Sequence, residues 1–196
     1  TMATLSRRLQ SHPHGFALVL GLLLVAPTLG FAQERQNPYG EWRYQSGDAW
    51  GTRFSPVDQI NASNFADLEV AWEGRADNFG PLVDQQFKST PTYIDGLLYT
   101  VAGQRRTVVA IDPTTGETVW TYREPNTTRW ERSMRQNYGK GVAYGEVDGR
   151  GVIFYTSPAF FLHALDAKTG EHIQNFGSPV PIDGFPSTGV VDLLPP

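Results

Sequence analysis

The sequence predicts an all-β chain, a β-propeller of four-stranded antiparallel blades, from three observations. Ala110-Ile111-Asp112-Pro113-Thr114-Thr115-Gly116-Glu117 returns as Ala164-Leu165-Asp166-Ala167-Lys168-Thr169-Gly170-Glu171 at an offset of 54 residues, and a fixed period of this size marks a repeat architecture. Upstream of each copy an Asp-Gly pair, Asp95-Gly96 and Asp148-Gly149, sits between apolar runs as in a two-residue type I′ hairpin. Indoles end the units: Trp72 closes Asp67-Leu68-Glu69-Val70-Ala71-Trp72, and Trp120 closes the return run of the first copy. Two hairpins per repeat make a four-stranded blade.

In chain order, Asp67 to Trp72 is the tail of a partial unit. Ser89-Thr90-Pro91 leads into the first hairpin, Tyr93 to Tyr99, and the apolar run Thr107 to Ile111 supplies the next strand. Asp112 then turns the chain through an Asx side-chain bond and Gly116 through a backbone free to take positive φ. The second unit repeats this with the hairpin Glu146 to Tyr155, the strand Phe160 to Leu165 and the turn at Asp166 and Gly170. Its return run carries Gln174 where the first has Trp120, so that dock is weakened or passes to Phe176. A buried indole contributes about 4–6 kcal/mol as an upper estimate, from roughly 150–250 Å² at 25 cal/mol per Å². Gly189-Val190-Val191-Asp192-Leu193 is read as a motif-like run with no closing strand after it. The chain holds material for about three blades, whereas a ring closes with about four to eight, so the expectation is the N-terminal part of a longer propeller.

Residues 1–32 read as a secretory signal: Arg7-Arg8, an apolar run from Phe16 to Ala26, and small residues that place cleavage after Ala32. The run is shorter than the roughly 20 residues of a spanning helix, which favours removal over a membrane anchor. Ser6-Arg7-Arg8-Leu9-Gln10 also has the look of a twin-arginine signal. The predicted localisation is periplasmic or exported, with residues 33–196 as the propeller part. The chain has no cysteine, which excludes thiolate catalysis and cysteine-held metals. His163 and His172 are read as packing or surface residues. Removing Arg7 and Arg8 with the leader takes the formal charge from −4 to −6, which argues against a nucleic-acid partner. Against that background Arg105, Arg106, Arg123, Arg129, Arg132, Arg135 and Lys140 gather in one stretch, facing either a polyanionic ligand or the acids beside them.

The run Trp42-Arg43-Tyr44-Gln45-Ser46-Gly47-Asp48-Ala49-Trp50-Gly51-Thr52-Arg53-Phe54-Ser55-Pro56-Val57-Asp58-Gln59-Ile60-Asn61 resembles the opening of the pyrroloquinoline-quinone (PQQ)-dependent dehydrogenases. The likeness continues through Ser89-Thr90-Pro91, the Ala-x-Asp-x-x-Thr-Gly-x-x-x-Trp motif and Gly139-Lys140-Gly141-Val142-Ala143-Tyr144. It implies an eight-bladed propeller with PQQ and Ca²⁺ on its axis, which oxidises an alcohol or sugar and passes electrons to a cytochrome or membrane quinone. It also implies that Lys88, Ser89, Thr90, Arg135, Lys140 and Gly141 contact the cofactor.

The chain departs from the family's pattern in three places. Lys88 stands where members often carry an acid, Lys140 where they carry arginine, and no vicinal cysteine pair occurs near Met134-Arg135. The family's Ca²⁺ ligands and catalytic aspartate lie in later blades, so no residue here is assigned as base or metal ligand. Asp95, Asp112 and Asp166 are turn residues and Asp84 a loop residue. Lys88 and the missing cysteine pair also fit an alternative, a non-catalytic propeller serving as a periplasmic protein-interaction scaffold.

Overall fold

The computed structural model describes residues 40–80, 82, 86–136 and 138–194. The segment read as an export signal and Asp84 therefore lie outside the described residues. Past two 3₁₀ turns, Phe65–Asp67 and Ala76–Phe79, the chain forms β1 (Gln86–Phe87), β2 (Thr92–Ile94), β3 (Leu97–Ala102), β4 (Thr107–Ile111) and β5 (Thr118–Tyr122). A short helix α1 (Thr128–Glu131) follows, then β6 (Tyr138–Gly139), β7 (Ala143–Val147), β8 (Arg150–Thr156), β9 (Phe161–Asp166) and β10 (Val190–Asp192). Two four-stranded antiparallel sheets result, in the orders β2-β3-β4-β5 and β7-β8-β9-β10, together with a parallel pair of β1 and β6. These are the predicted blades.

Local chemistry sets the turns. Asp95 and Gly96 have φ of 48° and 80°, and Asp148 and Gly149 of 51° and 73°; positive φ at both central residues is the requirement of a type I′ turn. The Asp112 carboxylate accepts from the Thr114 amide at 2.7 Å, and that of Asp166 from the Lys168 amide at 2.9 Å. In the first sheet the return strand is β5, as expected.

The second sheet differs. Its return run begins, with Ile173 N donating to Ala164 O at 3.0 Å, and then leaves the sheet at Asn175 and Gly177, whose φ values are 64° and 75°. The vacated edge is filled by Val190–Asp192, which pairs with Phe161–His163. The run read as lacking a closing strand is thus itself the closing strand. Phe176 packs on Phe154 of its own sheet, with ring centroids 5.6 Å apart. The partial unit around Trp72 is extended chain and 3₁₀ turn, tied to the first sheet by a Trp42–Tyr93 bridge.

The indole docks are built alike. Trp120 lies over Gly170, where an added Cβ would come within 2.6 Å of the ring, and Trp72 lies over Gly116 with a corresponding 2.7 Å. Each indole N–H donates to a backbone carbonyl of the turn beneath it: Trp120 to Ala167 at 2.9 Å and Trp72 to Pro113 at 2.7 Å. Tyr99 donates its hydroxyl to the same Ala167 carbonyl at 3.0 Å, using both lone pairs of that oxygen. Around this point Ile94, Tyr99, Val101, Val108, Ala110 and Trp120 of the first unit share one core with Ile153, Tyr155, Leu165 and Ala167 of the second.

A polar cluster crosses the same junction. His163 on β9 is fully buried, and its Nε2 lies 3.0 Å from Oε2 of Glu124, itself 2% exposed. A carboxylate only accepts, so Nε2 is the donating nitrogen. Nδ1 lies 3.3 Å from the Tyr122 hydroxyl and 3.2 Å from His172 Nε2. The imidazole stacks on Tyr155 at 4.8 Å. Burial, and then the neighbouring His163, push the His172 imidazole down from 6.5 to about 4.

Trp120→Ala is expected to destabilise the protein by about 3–5 kcal/mol, read as a lowered denaturation midpoint; Trp120→Phe should recover most of the loss. Because unfolded His172 takes up its proton near pH 6.5 and the folded form only near 4, the unfolded state binds more protons in that window and stability falls as pH drops through it. His172→Gln is expected to flatten the melting temperature between those limits; an unchanged slope would exclude His172 as its source.

Candidate functional site

Among the described residues the cavity with the chemistry of an anion site is small, about 140 Å³, and lined by Gln45, Lys88, Thr90, Thr92, Lys140, Gly141 and Val142. Three segments build it. β1 and β6 run parallel with Gln86 opposite Tyr138 and Phe87 opposite Gly139, so the next residues, Lys88 and Lys140, emerge at one level. Adjacent strands are about 4.8 Å apart, so two cationic residues line one small cavity, an arrangement that favours an anionic ligand. The third wall, Gln45, is brought in by the N-terminal segment, where Trp42 and Tyr93 exchange backbone hydrogen bonds of 2.9 and 3.1 Å. Asp48 shapes that segment by accepting from the amides of Trp50 and Thr52, a local reason for the Gly-Asp-x-x-x-Thr spacing.

Two further features suit an acidic ligand. The Ser89 hydroxyl oxygen is buried without a hydrogen-bond partner, and a buried donor left unpaired costs about 1–3 kcal/mol. Gly141, at φ 79°, lies so close to Ser89 that an added Cβ would stand 2.8 Å from its Oγ. Glycine at 141 thereby leaves room for the Ser89 hydroxyl. Of the six residues assigned to the cofactor by resemblance, Lys88, Thr90, Lys140 and Gly141 line this cavity and Ser89 lies against Gly141; their donors fit the carboxylates of a quinone such as PQQ.

Arg135 does not join them. Its side chain is exposed, its carbonyl accepts from Arg106 at 3.0 Å and its amide donates to Ser133 Oγ at 3.0 Å. Its neighbours in the basic stretch are engaged in holding the loop. Arg129 makes two 2.7 Å bonds to Asp192 and lies 4.2 Å over the Phe161 ring. Arg105 lies 4.6 Å over Trp130, and Arg123 donates to Thr107 at 3.1 Å. Arg105, Arg106, Arg123 and Arg129 thus meet backbone carbonyls, a hydroxyl, rings and the distant Asp192 rather than the acids beside them, and Lys140 is the stretch's contribution to the cavity. Gln45 and Thr92 were missed, although Gln45 lies within the opening signature.

A larger cleft of about 780 Å³ opens between the hairpin turns, with Asp95, Glu146, Arg150, Asp166 and Lys168 on its walls. Asp166 is occupied there, accepting from Arg150 at 3.0 Å, so the smaller cavity is preferred on its chemistry. Asp95 and Asp112 are turn residues, as read. No group of three or more His, Asp or Glu side chains among the described residues is arranged to hold a metal ion.

Comparison with known proteins gives these features a family. The model of the PQQ-type glucose/ethanol/alcohol dehydrogenase β-propeller domain matches residues 42–193. Quinohemoprotein alcohol dehydrogenase ADH IIB of Pseudomonas putida is 33% identical over 159 residues, 76% of this chain and 20% of that protein. The 1-butanol dehydrogenase (cytochrome c) of Thauera butanivorans is 32% identical over 158 residues, 79% of this chain and 20% of that protein. The crystal structure of quinohemoprotein alcohol dehydrogenase from Comamonas testosteroni superposes with a TM-score of 0.55 at 30% identity, covering 72% of this chain and 20% of that one. The chain spans about a fifth of the length of these relatives. By matched family model and by fold, it belongs to the PQQ-type glucose/ethanol/alcohol dehydrogenase family of β-propellers.

Proposed function

We propose that this chain is the N-terminal part of an exported PQQ-dependent dehydrogenase that oxidises an alcohol or sugar, and that its polar cavity grips carboxylates of the cofactor. The observation that carries the reading is the paired delivery of Lys88 and Lys140 by β1 and β6 beside the unpartnered hydroxyl of Ser89. The two lysines supply charge, Ser89 and Thr90 supply neutral donors, and Gly141 makes room for the Ser89 hydroxyl. Lysine keeps the charge that arginine would bring but not its two-pronged geometry, so Lys140 acts as a point charge. A quinone held by these residues would supply hydride-accepting redox chemistry, with Ca²⁺ as the expected Lewis acid. The names of the relatives favour an alcohol as substrate and a cytochrome as one electron acceptor.

Full-length protein given PQQ and Ca²⁺ is expected to reduce an artificial dye with primary alcohols; no turnover with any alcohol or aldose would overturn the reading and favour a protein-interaction scaffold. Lys140→Ala is expected to weaken PQQ binding about 10- to 100-fold, the value of one hydrogen bond to a charged group, with kcat restored at saturating PQQ. Lys140→Arg should retain binding.

A further inference from the structure

We infer that the turn between β3 and β4, Gly103 to Arg106, is a bracket that sets the level of Lys88 against Lys140, and that Arg106 is a positioning residue for the cavity; this rests on the function proposed above. A parallel pair of two residues a strand, as β1 and β6 form, is too short to fix its own register, since even two-stranded hairpins are marginal alone. The register has to be imposed from outside, and this turn touches both arms.

On one arm, Gln104 N donates to Leu82 O at 3.1 Å, four residues ahead of Gln86. Gly103, at φ 70°, is pressed so near the same arm that an added Cβ would stand 2.9 Å from the Phe79 carbonyl oxygen. On the other arm, Arg106 donates to the Arg135 carbonyl at 3.0 Å, three residues ahead of Tyr138. Gln104 adds a side-chain bond to Gln136 at 3.3 Å.

Arg106 also ties this bracket to the second sheet, donating to Thr156 O at the end of β8 at 2.8 Å. It is 3% exposed and holds φ 49°, a left-handed conformation that non-glycine residues adopt at a cost. A guanidinium presents several donors in a rigid fork, which lets it serve two carbonyls from different segments at once. Lysine at this position would reach only one of them well. Arg106 lines none of the cavity, so its effect on a ligand acts through the two strands that lead into Lys88 and Lys140.

The test compares Arg106→Gln and Gly103→Ala with Arg129→Gln, which removes a different arginine clasp, in the full-length protein. Amide hydrogen exchange over residues 138–142, without cofactor, reads the register. PQQ titration in the presence of Ca²⁺ reads the cavity. Faster exchange and a PQQ Kd raised about tenfold or more in both bracket variants, with Arg129→Gln unchanged in both readouts at a comparable loss of melting temperature, is the expected result. Should Arg106→Gln fail to fold, Gly103→Ala decides by the same two measurements. Unchanged exchange and Kd in a folded bracket variant would overturn the proposal, as would equal losses in Arg129→Gln. If exchange rises as expected but the parent protein binds no PQQ, the bracket stands and the cofactor reading fails.

Discussion

The seating of an indole on a glycine turn is the interaction on which this architecture depends. Trp120 covers Gly170 and bonds to Ala167, while Trp72 covers Gly116 and bonds to Pro113. The contact combines a large apolar area with a single directed hydrogen bond, so it fixes both the distance and the rotation of one sheet against the next. Glycine serves two purposes at these turns, because any side chain would strain the backbone and also displace the ring. Once the sheets are locked in this way, the cluster of Glu124, His163, Tyr122 and His172 is enclosed between them, and each polar bond made there secures the same junction.

The loop between the two sheets uses its positive charge in an unexpected manner. A run of arginines in an acidic protein suggests a surface for anions, yet most of these side chains face carbonyls, rings and one carboxylate of the protein itself. Arginine suits that work because its flat, delocalised cation stacks on aromatic faces and forks between acceptors. Two lysines that follow neighbouring strands line the small cavity. The division is chemical: rigid planar cations hold the scaffold, and flexible point charges face the cavity.

What was legible in the sequence was what short-range chemistry decides. The turns at Asp95-Gly96 and Asp148-Gly149, the Asx bonds of Asp112 and Asp166 and the indole period depend on residues close in the chain, and each appears as read. Lys88, Ser89, Thr90, Lys140 and Gly141 were brought together by family likeness, since no local pattern joins residues on separate strands. The rest depends on partners far apart. Arg129 meets Asp192 across 63 positions, Glu124 meets His163 across 39, and Gln45 reaches its cavity from a segment outside both sheets. The edge strand of the second sheet escaped for a related reason. Gln174 marked the loss of an indole, but nothing near it announced that Val190–Asp192 would take over the edge.

That takeover separates the continuity of the sheet from the continuity of the chain. Between Phe176 and Gly189 the polypeptide makes a detour whose ends are pinned by Gly189 N donating to Phe176 O at 2.7 Å. Val180, Ile182 and Phe185 anchor its flanks on Phe161 and Val190, while at Gly184, near the tip, an added Cβ would meet nothing within 4 Å. A detour clamped at its neck and open at its apex is a natural splice point. Foreign sequence such as an epitope or a reporter could be carried there while the strands on either side keep their pairing.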